Sequence, residues 1–121
     1  MRKLIFGLFI AFLPALGLAA GVGVPLDHIK TDHTDKASLQ RGAAMFTNYC
    51  MGCHSMEYAR YKRVADDLEI PVDLFEENLI FTGAQIGELM KNSMNKDMAA
   101  DWFGAPPPDL TLESRLRGES W

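Results

Sequence analysis

The residues best suited to chemistry in this 121-residue chain lie in Cys50-Met51-Gly52-Cys53-His54, which holds both cysteines of the sequence. Two thiols separated by two residues and followed at once by a histidine form the C-x-x-C-H pattern typical of c-type haem attachment. Each thiol adds across one vinyl group of the porphyrin, and the two-residue gap lets one helical turn reach both vinyl groups. The histidine then supplies an axial nitrogen to the iron. We therefore expect one covalent haem c on Cys50 and Cys53, with His54 as an axial ligand of the haem iron.

Other chemistries use the same thiols. A C-x-x-C pair also occurs in thioredoxin-like dithiols and in halves of zinc sites, and Cys50 and Cys53 can also form a disulfide. His28 and His33 would complete a Cys2His2 zinc set, although that interpretation leaves His54 without a role. The alternative function is therefore a small exported zinc-binding or dithiol redox protein that uses Cys50 and Cys53.

Residues 1–20 have the organisation of an export signal: two basic residues, an apolar run, and then small residues. We expect cleavage close to Ala19. A retained membrane anchor is the competing interpretation, but the uncharged span 4–20 is interrupted by Pro14 and is short of the about 20 apolar residues that a spanning helix needs. The sequence therefore predicts a signal peptide over 1–20 and an exported product.

The charge of the chain limits its partners. The formal net charge is −4, and it becomes −6 once the two basic residues of segment 1–20 are removed. An acidic chain of this kind argues against nucleic-acid binding. Six carboxylates fall close together in the sequence, at Asp66, Asp67, Glu69, Asp73, Glu76 and Glu77. They form either an ordinary solvated face or a docking patch for a basic electron acceptor.

The hydrophobic pattern predicts helices separated by long loops. Leu39, Ala43, Phe46 and Cys50 share one apolar helical face that leads directly into the cysteine pair, and Thr34 or Asp35 is suited to cap that helix. The predicted elements are an extended arm over 21–35, helices over 36–49, from Pro71, over 83–92 and over 112–117, and an extended proline segment over 105–110. No strand pattern persists, so the predicted fold class is all-α.

Three segments resemble bacterial cytochrome c1. They are Gln40-Arg41-Gly42-Ala43-Ala44-Met45-Phe46-Thr47-Asn48-Tyr49-Cys50-Met51-Gly52-Cys53-His54-Ser55-Met56, then Tyr58-Ala59-Arg60-Tyr61, and Trp102-Phe103-Gly104-Ala105-Pro106-Pro107-Pro108-Asp109-Leu110. The resemblance implies that residues 36–121 are the N-terminal part of an all-α, cytochrome c-like haem domain with long loops, incomplete at the C-terminus. It also implies that Arg117 pairs with a haem propionate. The implied haem-binding residues are therefore Cys50, Cys53, His54 and Arg117.

The same resemblance implies an electron-carrier subunit of the ubiquinol–cytochrome c reductase, which is not an enzyme on its own. Its implied partners are cytochrome b, a Rieske iron–sulfur protein that donates electrons, and a soluble or membrane-bound cytochrome c that accepts them. Its implied location is the periplasmic face of the bacterial inner membrane. The family's second iron ligand, a methionine, is expected beyond Trp121. We therefore expect this chain to lack that ligand and to have a lowered reduction potential.

Overall fold

The computed structural model describes residues 25–121, so the predicted signal peptide over 1–20 lies outside the described residues. Residues 25–35 contain no helix or strand. The elements that follow are α1 (Lys36–Met45), a π-helical segment (Phe46–Cys50), β1 (Met56–Arg60), α2 (Tyr61–Asp67), α3 (Val72–Leu79), β2 (Leu89–Met90), α4 (Lys96–Phe103) and α5 (Glu113–Arg117). Within residues 25–121, no helix has the length and apolarity needed to cross a membrane.

The predicted helix over 36–49 is present as α1 and the π-helical segment. Asp35 caps it, because its carboxylate accepts a hydrogen bond of 3.0 Å from the backbone N–H of Ser38. The helix then widens into the π-helical segment, where polar side chains donate hydrogen bonds to carbonyl oxygens of the preceding turn. The Thr47 hydroxyl donates to the Ala43 carbonyl at 3.1 Å, and the Asn48 amide donates to the Ala44 carbonyl at 2.7 Å. Single-turn widenings of this kind are frequent at functional sites, and this one ends at Cys50.

A small antiparallel sheet qualifies the all-α prediction. β1 pairs with β2, with Met56 opposite Met90 and Arg60 opposite Leu89, and the register shifts between those two pairs. The side chain of Arg60 extends this contact by donating to the Gly87 carbonyl at 2.8 Å. The described part of the chain therefore combines short helices with two short strands, and all-α is not confirmed.

The predicted helix over 83–92 is wrong. Gly83 has a φ of +75°, which lies outside the helical region. The carboxylate of Glu88 accepts from the backbone N–H of Gln85 at 2.7 Å, which fixes a turn before β2. Pairing with β1 then takes the backbone hydrogen bonds that a helix would have used.

The remaining helices fit their local sequence signals. α3 begins directly after Pro71, as predicted to within one residue. α4 was not predicted; the Asn95 side chain caps it by accepting from the N–H groups of Asp97 and Met98. Gly104 ends α4 at a φ of +79°. The predicted helix over 112–117 is α5.

The core lies directly beneath the cysteine pair. It consists of Met51, Tyr61, Ala65, Phe75, Leu79 and Met90. The rings of Tyr61 and Phe75 meet edge to face with centroids 6.4 Å apart. The hydroxyl of Tyr61 contacts the Thr82 hydroxyl at 3.1 Å and donates to the Met51 sulfur at 3.7 Å. Burial raises the pKa of Tyr61, so this hydroxyl stays protonated. The spacer residue Met51 is thus part of the core and anchors the cysteine pair to it.

Candidate haem-attachment site

The two cysteines share one turn that continues the π-helical segment. Cys50 is the last residue of the π-helical segment. Its carbonyl accepts hydrogen bonds from the backbone N–H of Cys53 at 3.1 Å and from that of His54 at 2.9 Å. Both thiols are free and exposed. No atom lies within 4 Å of the position that a Cβ of Gly52 would occupy, so the turn is open between the two thiols. The thiols are therefore accessible to a reactant from outside the core.

The imidazole of His54 is hydrogen-bonded through Nδ1 to a backbone carbonyl. Its Nδ1 lies 2.8 Å from the carbonyl oxygen of Pro108, 54 residues away in the chain. Because a carbonyl oxygen only accepts hydrogen bonds, Nδ1 must carry the proton. In the tautomer with its proton on Nδ1, the lone pair is on Nε2, which is the form of histidine that binds a metal.

Residues 108–111 run alongside residues 54–58 and position them. The Leu110 N–H donates to the Ser55 carbonyl at 2.9 Å, and the Glu57 N–H donates to the Asp109 carboxylate at 2.6 Å. The hydroxyl of Ser55 accepts from the backbone N–H of Asn92 at 3.0 Å, which adds a tie to the residues after β2. The chain directly after His54 is therefore held by three hydrogen bonds, one between backbone groups and two from a backbone N–H to a side chain.

The carboxylate of Asp109 is kept ionised by these contacts. Burial alone would raise its pKa, but hydrogen bonds from Thr111 and from the Glu57 N–H outweigh burial, and the charge of Lys96 acts in the same direction. The pKa of Asp109 is therefore below its ordinary value. A charged acceptor makes stronger hydrogen bonds to N–H groups than a neutral one does.

Two clefts adjoin the turn. One has a volume of about 210 Å³, and its walls include Cys53, Glu57, Met94, Lys96, Pro107 and Asp109. The other, of about 410 Å³, has walls that include Thr47, Met51, Gly52 and Phe81. Two aromatic residues close to the turn in sequence are largely exposed, Tyr49 at 83% and Tyr58 at 72%. Free thiols, a free imidazole nitrogen and exposed aromatic surface nearby fit a covalently held porphyrin.

Arg117 contacts two residues near it in the sequence. Its Nε lies 2.6 Å from a carboxylate oxygen of Glu113, and its guanidinium lies 4.4 Å from the centre of the Trp121 ring. No hydrogen bond or ion pair within residues 25–121 joins Arg117 to Cys50, Cys53 or His54. Its role toward a haem propionate stays a prediction.

The histidines of the proposed zinc set form no metal-holding group with the cysteines within residues 25–121. His33 is 3.2 Å from a carboxylate oxygen of Glu119, and Ile29 donates to the Ser120 hydroxyl at 3.2 Å. The arm is thus fastened to the end of the chain. Among residues 25–121, no three His, Cys, Asp or Glu side chains converge on a point that could hold a metal ion. The zinc alternative gains no support from this arrangement, because a structural zinc site needs four protein ligands.

Sequence reasoning missed the residues that orient His54. The proline segment was expected only as an extended connection, whereas its carbonyl at Pro108 and its carboxylate at Asp109 form part of the site. A partial signal was present: an aspartate two residues before Thr111 is typical of a turn in which the carboxylate accepts from the backbone, and that bond is observed at 2.9 Å. Which distant residues the turn would meet is not encoded locally.

A pair of free thiols on one turn, followed by an imidazole with its Nε2 free, is the arrangement expected of a haem c-binding domain. The chain belongs to the Cytochrome C1 family, whose pattern matches residues 27–102, and that family carries one covalently bound haem c. The chain is 48% identical over all of its 121 residues to cytochrome c1 of Allochromatium vinosum and covers 50% of that protein.

A second relative carries a different name. The chain is 40% identical over 122 aligned positions to the ammonia monooxygenase gamma subunit of Nitrosomonas europaea and covers 52% of it. The chain spans about half the length of the curated relatives it matches. The resemblance to cytochrome c1 that the sequence suggested is confirmed.

Proposed function

We propose that this chain is an electron-transfer component that binds one haem c through thioethers at Cys50 and Cys53, with His54 Nε2 as an axial ligand of the iron. The observation that carries the proposal is the 2.8 Å contact between His54 Nδ1 and the Pro108 carbonyl, which leaves Nε2 free on the turn that carries both thiols. When bound, haem c supplies a one-electron couple between ferric and ferrous iron. The chain itself makes and breaks no substrate bonds in this role.

The other residues of the site act on position and surroundings. Cys50 and Cys53 would hold the haem on the turn through two thioethers, and Met51 packs that turn onto the core. Pro108 fixes the tautomer and the orientation of the His54 ring. Arg117 would bind a propionate through its terminal N–H groups, because the ion pair with Glu113 uses Nε and a guanidinium has five N–H donors.

The proposed setting follows the similarity to cytochrome c1. The chain would work beside cytochrome b, receive electrons from a Rieske iron–sulfur protein and pass them to a soluble or membrane-bound cytochrome c. In this setting the chain would lie, after export, on the periplasmic face of the bacterial inner membrane. Asp73, Glu76 and Glu77 are exposed on or near one side of α3, and their charge supports a basic electron acceptor.

The test is to export the chain in a cell that matures c-type cytochromes and to record visible spectra before and after extraction with acidic acetone. Haem that stays with the protein and gives sharp α and β bands on reduction supports the proposal. A retained haem with a high-spin spectrum supports attachment and an iron without its second protein ligand. Loss of all haem to the solvent refutes the proposal and leaves the zinc-binding or dithiol alternative.

Matched variants assign the residues. Cys50→Ala and Cys53→Ala each leave one thioether, and the double variant releases all haem to acidic acetone. His54→Ala keeps the covalent bonds but changes the visible spectrum from that of the wild type, because the iron loses its histidine ligand. His28→Ala and His33→Ala serve as controls, because His33 pairs with Glu119 and not with the cysteines. A loss of haem in either control variant contradicts the assignment.

A further inference from the structure

We propose that Asp109 is a positioning residue for the imidazole of His54, acting through the neighbouring Pro108 carbonyl. This inference rests on the proposed function, in which His54 is an iron ligand. The Pro108 carbonyl must keep its place if the ring is to keep its orientation. Proline has no N–H group, so Pro106, Pro107 and Pro108 donate no backbone hydrogen bond that would hold this oxygen. The residue that follows, Asp109, makes hydrogen bonds that can anchor it.

The carboxylate of Asp109 supplies that anchor with both of its oxygens. Oδ2 accepts from the Glu57 N–H at 2.6 Å, and Oδ1 accepts from the Thr111 N–H at 2.9 Å. Glu57 is three residues beyond His54, and Asp109 directly follows Pro108. One side chain therefore ties β1, which begins two residues after His54, to the segment whose carbonyl holds the ring.

An amide cannot replace this carboxylate. An ionised carboxylate is an acceptor at both oxygens, whereas an asparagine has one acceptor oxygen and one donor NH₂ group. In Asp109→Asn, either the Glu57 N–H or the Thr111 N–H would face a donor. One of the two ties is lost, although the volume of the side chain is unchanged.

The consequence for the iron follows from the hydrogen bond at Nδ1. A histidine that donates firmly from Nδ1 is a more basic ligand at Nε2, because the acceptor withdraws part of the positive charge. A more basic ligand favours the ferric state. Loosening the Pro108 carbonyl therefore raises the reduction potential and lets the Nδ1 proton exchange faster.

Removal of a negative charge raises the potential as well, so a charge control is needed. Glu57 provides it: its side chain lines the same cleft and lies 3.6 Å from Lys96 Nζ. Glu57→Gln removes one unit of charge from that cleft but leaves the backbone N–H that donates to Asp109. Asp109→Glu is the opposite control, because it keeps the charge and moves the carboxylate by one methylene.

The experiment measures three quantities in the wild type and in these three variants of the chain. They are the ¹⁵N NMR tautomer and Nδ1 proton exchange of His54, recorded with and without haem, and the reduction potential of the haem-loaded form. In Asp109→Asn we expect exchange about fivefold faster, the factor that one ordinary hydrogen bond is worth, and a rise in potential larger than in Glu57→Gln. Asp109→Glu shows the faster exchange without the loss of charge, and it decides the question if Asp109→Asn does not fold.

Equal exchange and equal potential in Asp109→Asn and Glu57→Gln would overturn the inference, since Asp109 would then act as a charge alone. Unchanged exchange in Asp109→Glu would also overturn it. The two proposals fail separately. If the wild type takes up no haem, the proposed function is wrong, while the tautomer of His54 in the haem-free chain still tests the role of Asp109.

Discussion

Phe75 is the residue whose truncation tests the core beneath the cysteine pair. Its side chain is fully buried and packs edge to face on Tyr61. Phe→Ala in a core costs about 3–5 kcal/mol, and the lost aromatic pair accounts for about 0.5–1.5 kcal/mol. We therefore expect Phe75→Ala to lower the free energy of unfolding by about 4 kcal/mol, a large share of the about 5–15 kcal/mol of a typical domain.

The assay is a urea titration of the exported chain. With a slope of about 2 kcal/mol per molar urea, a loss of about 4 kcal/mol moves the midpoint down by about 2 M. Phe81→Ala is the matched control, because Phe81 is 60% exposed. With two-fifths of its surface buried, it loses about 1 kcal/mol and about 0.5 M. Equal shifts in the two variants would refute the assignment of Phe75 to the core.

Three further predictions use the same titration. Tyr61→Phe removes the buried hydroxyl that contacts Thr82 and costs about 1 kcal/mol, whereas Tyr58→Phe, at an exposed position, changes the midpoint by less than about 0.3 M. Gly104→Ala lowers the free energy of unfolding by about 1 kcal/mol or more, because φ is +79° there. Gly42→Ala raises it by up to about 1 kcal/mol, because there is open space where its Cβ would lie. The reverse order of the two variants would contradict both predictions. The pKa of Asp109 is lowered in the folded state, so its contribution is present above the unfolded value near 3.8 and is lost as the pH falls through the folded value. The stability difference between wild type and Asp109→Asn should therefore shrink between pH 7 and pH 2, and parallel pH profiles would contradict this.

The parts of the fold that the sequence predicts are those with local causes. α1 follows from its apolar face and from the cap at Asp35, and the cysteine turn continues it without a break. α5 follows from the stop at Gly118, whose φ is +91°. Each of these signals involves residues within about one helical turn of each other.

The errors occur where distant pairing overrides local preference. The segment 83–92 has apolar residues at helical spacing, yet β2 of only two residues pairs with β1 instead, and periodicity cannot detect so short a strand. α4 was missed because its apolar residues do not share one buried face. Ala99 is buried, while Trp102 and Phe103 are exposed. In the site, the cysteines and the histidine are readable from spacing alone. The role of the Pro108 carbonyl could not be predicted, because a backbone acceptor has no sequence signature.

The hydrogen bond between His54 and Pro108 also orders the events of folding. The turn that carries both thiols closes through bonds between residues three to five positions apart, whereas the ring of His54 is oriented by a residue 54 positions away. Closing the longer loop costs about 2 kcal/mol more in chain entropy. The thiols therefore reach their mutual spacing early, in a chain that is still largely open, and the imidazole acquires its direction only when the proline segment arrives. Until then both sulfurs are in place on a formed turn while the histidine beside them still rotates.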